Sequence, residues 1–151
     1  MSTRHHIKAL RPALEAMKVM GYRADQCLAG TALVETDLID PQPEQAFSLE
    51  QQYRFHRNLL QLTGNPMLGL IIGKEYRLET FGLLGYAFMS APTVRHAMNV
   101  LRNYGPLTFT LFRIDFATRG NRGCLRFHPD VDIPADLLRY YVDRDLTAAL
   151  H

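Results

Sequence analysis

Apolar side chains recur at steps of three and four near the start of the chain, at Ile7, Leu10, Leu14 and Met17, with Lys8, Arg11, Glu15 and Lys18 between them. That period lays the apolar groups along one side of an α-helix. It predicts a one-faced surface helix over residues 4–20, closed by Gly21 as a left-handed cap. A short helix is expected from Ala24 to Ala29, stopped by Gly30. Thr31 to Asp40 has mixed signals with room for one helical turn, and the prolines of Asp40-Pro41-Gln42-Pro43 break what precedes them. Ser48 with Gln51 three residues on fits a capping box, so a long helix begins there. Leu49, Tyr53, His56, Leu59, Leu60 and Thr63 fall on one side of it, and Gly64-Asn65-Pro66 ends it. Met67 to Ile72 is short, apolar and expected to be buried.

Phe81 to Met89 is apolar all round. At helical period this means a buried helix, with Gly82 and Gly85 clearing one side for a close neighbour. Periodicity alone also permits a buried strand, but the flanks favour helix. Ser90 can cap the following segment, and Pro92 fits its first turn. Val94, Ala97, Met98, Leu101 and Tyr104 form the next apolar stripe, closed by Gly105-Pro106. From Leu107 the residues become β-formers, Thr108, Phe109, Thr110, Leu111, Phe112, Ile114 and Phe116, and Arg119-Gly-Asn-Arg-Gly123 suits a turn. Cys124 to His128 is the returning strand, with Leu125 and Phe127 on one face and Cys124, Arg126 and His128 on the other. Leu137, Leu138, Tyr141, Val142 and Leu146 mark a last amphipathic helix starting near Pro134.

Helices, one hairpin and a helix give an α+β reading: a helical layer packed against a small antiparallel sheet, the hairpin near 107–128, in a single domain spanning 1–151. A lone hairpin is marginal in water. It must pack on helices, pair with another chain, or meet further strands.

The chain's 151 residues and 47% hydrophobic content suit one globular domain with a core, not a disordered segment. Its 17 basic and 15 acidic residues are dispersed, so no basic run supplies the field that nucleic acid or an anionic membrane would require. The apolar run at 81–89 is far shorter than the roughly 20 residues of a membrane-spanning helix. No signal-peptide pattern precedes residue 20, so a cytoplasmic protein with Cys27 and Cys124 as free thiols is expected, with no membrane partner.

The histidines hold no metal-binding spacing, since His5 and His6 diverge on a helix and no His-Glu-x-x-His or Cys-x-x-Cys motif occurs. Neither cysteine has a neighbouring base, and Cys124 in a strand reads as a small hydrophobe. The glycines at 69, 73, 82 and 85 lack the strand-to-helix setting of a dinucleotide site and read as packing positions. Tyr53, Arg54, His56 and Arg57 form the densest polar-aromatic cluster, suited to a carboxylate or phosphate or to a solvated helix face. Arg119 and Arg122 at the hairpin tip suit an anion, an oligomeric partner or simple solvation. Tyr86 needs a hydrogen-bond partner if buried.

The segment Gly82-Leu-Leu-Gly-Tyr-Ala-Phe-Met-Ser-Ala-Pro-Thr-Val-Arg-His-Ala-Met-Asn-Val-Leu-Arg-Asn-Tyr104 resembles the regulatory N-terminal domain of AraC-family transcription regulators, in the branch labelled arabinose-binding. Gly21-Tyr22, Cys27-Leu-Ala-Gly-Thr-Ala-Leu33, the helix from Ser48 and Leu62-Thr-Gly-Asn-Pro-Met-Leu-Gly-Leu70 are similar to the same domain in order and spacing. The resemblance covers roughly residues 15–130. It implies a sensor and not an enzyme, with a small-molecule effector, a homodimer, no cofactor, and DNA bound only through a C-terminal helix-turn-helix domain that this chain does not contain. Candidate ligand-binding residues on this reading are Tyr53, Arg54, His56, Tyr86, His96 and Tyr104. The competing readings are a haem-bearing sensor using His56 or His96, and an enzyme of unrecognised type.

Overall fold

The chain is an α+β protein in which helices predominate. The computed structural model describes residues 5–42, 45–105 and 108–150. Arg4, Pro43, Pro106 and Leu107, which figure in the expectations above, lie outside the described residues. The contacts divide the chain into two compact units, residues 1–76 with 135–151 and residues 77–134.

The first unit opens with β1 (His5–His6), paired antiparallel with β2 (Ala46–Phe47), and a 3-10 turn at Ile7–Leu10. Helix α1 (Arg11–Val19) follows. The single helix expected over 4–20 is therefore three pieces. The cause is Pro12 in the first turn of α1: its ring and missing amide prevent an α-helix from running through from residue 4. The apolar face is as read, with Ile7, Leu10, Leu14 and Met17 all buried. Gly21 (φ 92°) closes α1, donating to the Lys18 carbonyl while the Tyr22 amide donates to that of Met17.

Helices α2 (Ala24–Cys27) and α3 (Glu35–Ile39) are single turns flanking Gly30, whose φ is 70°. In α4 (Leu49–Thr63) the capping box is realised: the Gln51 amide donates to Ser48 Oγ at 3.1 Å, and the Ser48 amide to Gln51 Oε1 at 2.9 Å. Gly64 caps its end with φ 59°.

Helix α5 (Leu68–Gly73) lies against α8 (Ala135–Leu150) at very short range. A Cβ placed on Gly69 would stand 2.5 Å from the Tyr140 carbonyl oxygen, and one on Gly73 2.5 Å from that of Arg144. These two are packing glycines in the strict sense.

The second unit begins with a 3-10 turn, Leu78–Phe81, then α6 (Leu83–Met89), α7 (Val94–Tyr104) and the hairpin β3 (Phe112–Arg119) and β4 (Arg122–Pro129). The strand starts at Phe112, later than expected, because Thr108 is engaged in a turn to the Gly105 carbonyl. Ile114 pairs with Phe127 and Phe116 with Leu125, and paired residues share a face. The apolar and polar faces are those read from the alternation. Gly120, φ 57°, takes the positive φ that the first position of a two-residue turn requires. Helix α7 lies on β3, where Arg95 donates to Thr118 Oγ1 at 3.1 Å. The hairpin thus gains the helical cover that a lone pair of strands needs.

Four expectations here need correction. Helix α6 is exposed, not buried: Leu83 is 88% exposed, Tyr86 65% and Met89 46%, and Gly85 is its one buried residue. All-round hydrophobicity indicated burial, but the helix touches its neighbours through Gly85, whose added Cβ would overlap the Leu78 carbonyl at 1.8 Å. Gly82 is instead a conformational glycine, φ 57° and open space about it. The cap of α7 is Thr93, not Ser90: Thr93 Oγ1 accepts from the His96 amide at 3.2 Å. On α7 Ala97 is buried, whereas Val94 and Tyr104 are exposed.

Candidate functional site

The densest chemistry is in the first unit, where α4 and α8 meet. His56, on α4, has no exposed surface. Its Nδ1 is 2.8 Å from Tyr141 Oη, and its ring packs against Phe55, Tyr140 and Tyr141 with centroids 4.9 to 5.1 Å apart. Burial, then the positive charge of Arg144, holds its pKa well below the ordinary histidine range. The ring is neutral at pH 7.

Arg144 itself is buried on α8 beneath Tyr76 and Tyr141, whose rings lie 5.1 and 4.9 Å from its guanidinium carbon. Its Nε donates to Asp145 Oδ1 at 2.6 Å. Burial works against this charge, but Asp145 and the surrounding phenols outweigh it and raise the pKa further. The phenols of Tyr140 and Tyr141 are pushed well above their usual range by burial, and that of Tyr76 up to about 12. Tyr76 donates to the Ala9 carbonyl at 2.7 Å. Gln52 Oε1, His56 Nε2 and Tyr140 Oη, buried in the same region, have no hydrogen-bond partner among the described residues.

At the rim, Arg57 forms a two-bond fork with Asp136, Nε to Oδ2 at 2.6 Å and Nη2 to Oδ1 at 3.0 Å. It ties the middle of α4 to the first turn of α8. The fork raises the arginine pKa and lowers that of the carboxylate. On the other flank of α4, Asn58 donates to the Cys27 and Ala29 carbonyls at 2.9 and 2.8 Å, and Gln51 Nε2 to the Thr31 carbonyl at 2.9 Å. Helix α4 is hydrogen-bonded to the α2–α3 loop on one side and to α8 on the other.

An open cleft of about 660 Å³ lies over that loop, bounded by Lys18, Tyr22, Arg23, Leu28, Leu33, Val34 and Glu35. Lys18 Nζ and Glu35 Oε1 meet there at 2.6 Å, which raises the lysine pKa through the hydrogen bond. Arg23 pairs with Asp25 beside them.

Of the residues singled out from sequence, Tyr53 and His56 come together around Tyr141, the Tyr53 and Tyr141 centroids 6.1 Å apart. Arg54 is exposed and runs alongside Gly30. Tyr86, His96 and Tyr104 belong to the second unit. Tyr86 and Tyr104 (55% exposed) point to solvent, so the expected need of a buried Tyr86 for a partner does not arise. His96 Nδ1 is 2.7 Å from the cap Thr93 Oγ1. A macrocycle bound to His56 would have to displace the tyrosine rings that enclose it. Cys124 is exposed rather than a packed hydrophobe, because it lies on the polar face of the hairpin. Cys27 is buried, and burial lifts its thiol pKa to about 11. No group of three metal-ligating side chains occurs among the described residues, nor a helix long and apolar enough to cross a membrane.

Sequence reading missed Gln52, Tyr76, Tyr140, Arg144 and Asp145. A signal existed for three of them. Stepping by three and four from Leu137 reaches 140, 141, 144 and 145, the buried face of α8, whatever the side-chain charge.

These features occur on the scaffold of a regulatory domain. The chain belongs to the family described as the arabinose-binding domain of AraC transcription regulators, N-terminal, whose model matches residues 21–151. It is 30% identical over 148 residues to proteins of Mycobacterium bovis and Mycobacterium tuberculosis, each named an uncharacterized HTH-type transcriptional regulator. The match takes in 97% of this chain and 42% of each relative. The chain therefore spans about two fifths of the length of the curated relatives it matches. The family is a transcription-regulator domain and not an enzyme class.

Proposed function

We propose that this chain is the effector-sensing and dimerisation part of an AraC-type regulator, and that it acts on a DNA-binding part elsewhere in the protein. The family match over residues 21–151 carries the reading. The relatives' helix-turn-helix name and greater length support it.

The effector occupies the cleft beside α2 and α3, whose volume of about 660 Å³ is that of a small-molecule site. Tyr22, Leu28 and Val34 offer apolar surface, and a charged group on the effector competes for Lys18 or Glu35. Asn58 and Gln51 carry a shift of the loop to α4, and the Arg57–Asp136 fork and the His56–Tyr141 bond carry it to α8. Tyr53, Arg54 and His56 then respond to the effector from behind the cleft. No covalent chemistry is required: a ligand that favours one arrangement shifts the population by its difference in affinity. Exposed Leu83, Tyr86, Met89, Val94 and Tyr104 supply apolar surface for a homodimer, with His96 among them on α7.

Thermal-shift screening against a metabolite panel tests sensing, since a ligand at 100 times its dissociation constant adds about 2.7 kcal/mol. Lys18→Ala should alter the response of any hit. Light scattering tests dimerisation. A chain that meets no ligand in the panel and stays monomeric at high concentration would overturn both roles.

A further inference from the structure

Basic residues dispersed in sequence are gathered by the register of the hairpin. On the face opposite α7, successive rungs of the β3–β4 ladder carry Arg113 with His128, Asp115 with Arg126, Ala117 with Cys124, and Arg119 with Arg122. The face holds four arginines and one carboxylate. Asp115 is already engaged, 3.2 Å from His128 Nε2 and 4.0 Å from Arg113 Nε. Arg119, Arg122 and Arg126 are exposed, and none of the three is ion-paired among the described residues. Arg119 and Arg122 stand directly opposite one another, a like-charge pairing that works against the sheet unless an anion lies over it. From Arg113 to Arg119 the stripe runs about 20 Å at the rise of an antiparallel strand.

We infer that this arginine face docks on the phosphate backbone of duplex DNA, as a contact additional to the helix-turn-helix part. The inference rests on the proposed function for its choice of polyanion, since a regulator tethered to its site presents this face to DNA at high effective concentration. A guanidinium fork matches phosphate geometry. Over 20 Å one strand of duplex presents about six phosphates, so three or four arginines can each find one. Guanidinium–phosphate pairing engages the backbone and not the base edges, so the contact is independent of sequence and strongly dependent on salt.

The test is fluorescence anisotropy of this chain with a labelled 30-base-pair duplex of arbitrary sequence, from 20 to 200 mM salt. Binding should weaken with salt, and Arg119→Ala/Arg122→Ala should lower the slope of log K against log salt by about two. Arg119→Lys/Arg122→Lys should retain most of the slope, which separates charge from folding. The matched surface variant Arg11→Ala/Lys74→Ala should leave it unchanged. Absence of binding at 20 mM salt, an equal loss in both alanine variants, or binding of poly-glutamate as tight as that of DNA would overturn the proposal, the last assigning the face to an acidic protein. A chain that dimerises or answers an effector but fails this test loses only this inference.

Discussion

Replacing Gly69 by alanine tests whether α5 and α8 meet as closely as described. In an ordinary helix the change would stabilise by up to about 1 kcal/mol. Here the new methyl carbon would stand 2.5 Å from the Tyr140 carbonyl oxygen and 2.9 Å from Asp143 Cβ, where ordinary contact begins at 3.4 Å. The obstacle is backbone, which cannot rotate aside as a side chain can, so the helices must part by roughly 1 Å. Overpacking of a core costs about 1–3 kcal/mol, and a backbone obstacle places this case at or beyond the top of that range. The net expectation is a loss of about 2 kcal/mol. Urea unfolding followed by far-ultraviolet circular dichroism measures it. Gly73→Ala, 2.5 Å from the Arg144 carbonyl oxygen, should cost a similar amount. The double variant should cost less than the sum, because one separation of the helices relieves both overlaps. Gly64 supplies the contrast, with φ 59° and open space. There asparagine should be tolerated better than alanine, since it enters the left-handed region more readily, whereas at Gly69 the larger asparagine should be worse. A Gly69→Ala protein as stable as its parent would refute the close approach.

The neutral, buried His56 makes stability depend on acidity. Its folded pKa lies below the unfolded value of 6.5, so protons favour the unfolded chain: its contribution is intact above pH 6.5 and is lost as pH falls below it. Stability should therefore fall between pH 6.5 and pH 5.5, and His56→Gln should remove that part of the fall, as read from urea midpoints. Arg144→Met breaks the buried ion pair with Asp145 and should cost about 3–5 kcal/mol, as read from urea midpoints. An unchanged midpoint would show that the Arg144 guanidinium reaches water. With a thiol reagent at pH 8, Cys124 should react at once and Cys27 only in denaturant; prompt reaction of both would contradict the burial of Cys27.

Local chemistry was legible in sequence wherever a backbone rule decides it. The Ser48–Gln51 box, the caps at Gly21 and Gly64 and the alternation along β4 each depend on neighbours within four residues. Positions decided by distant partners were not. Phe81–Met89 is as apolar as a core helix, yet only the exposure of Leu83, Tyr86 and Met89 shows that it lies on the surface of its unit. Arg144 and Asp145 were missed because their setting depends on Tyr76, some seventy residues earlier in the chain. The packing role of Gly69 and Gly73 was legible because they lack the strand-to-helix setting of a dinucleotide site; their partner, α8, was not. Of the candidate ligand residues, only Tyr53 and His56 share a neighbour in Tyr141, a residue whose apolar spacing marked it as core but whose hydroxyl role needed the fold.

The first unit is made from both ends of the chain, with all of the second unit between α5 and α8. During synthesis the ribosome delivers α1 to α5 first, then some sixty residues that belong elsewhere, and only then α8. Until that helix emerges, the bare backbone at Gly69 and Gly73 has nothing to rest on, and His56 lacks the tyrosines that seal it. The nascent first unit must therefore wait, half-assembled, for the segment that completes it. A stop codon or frameshift within residues 77–134 would leave the first unit without α8, an unfinished core.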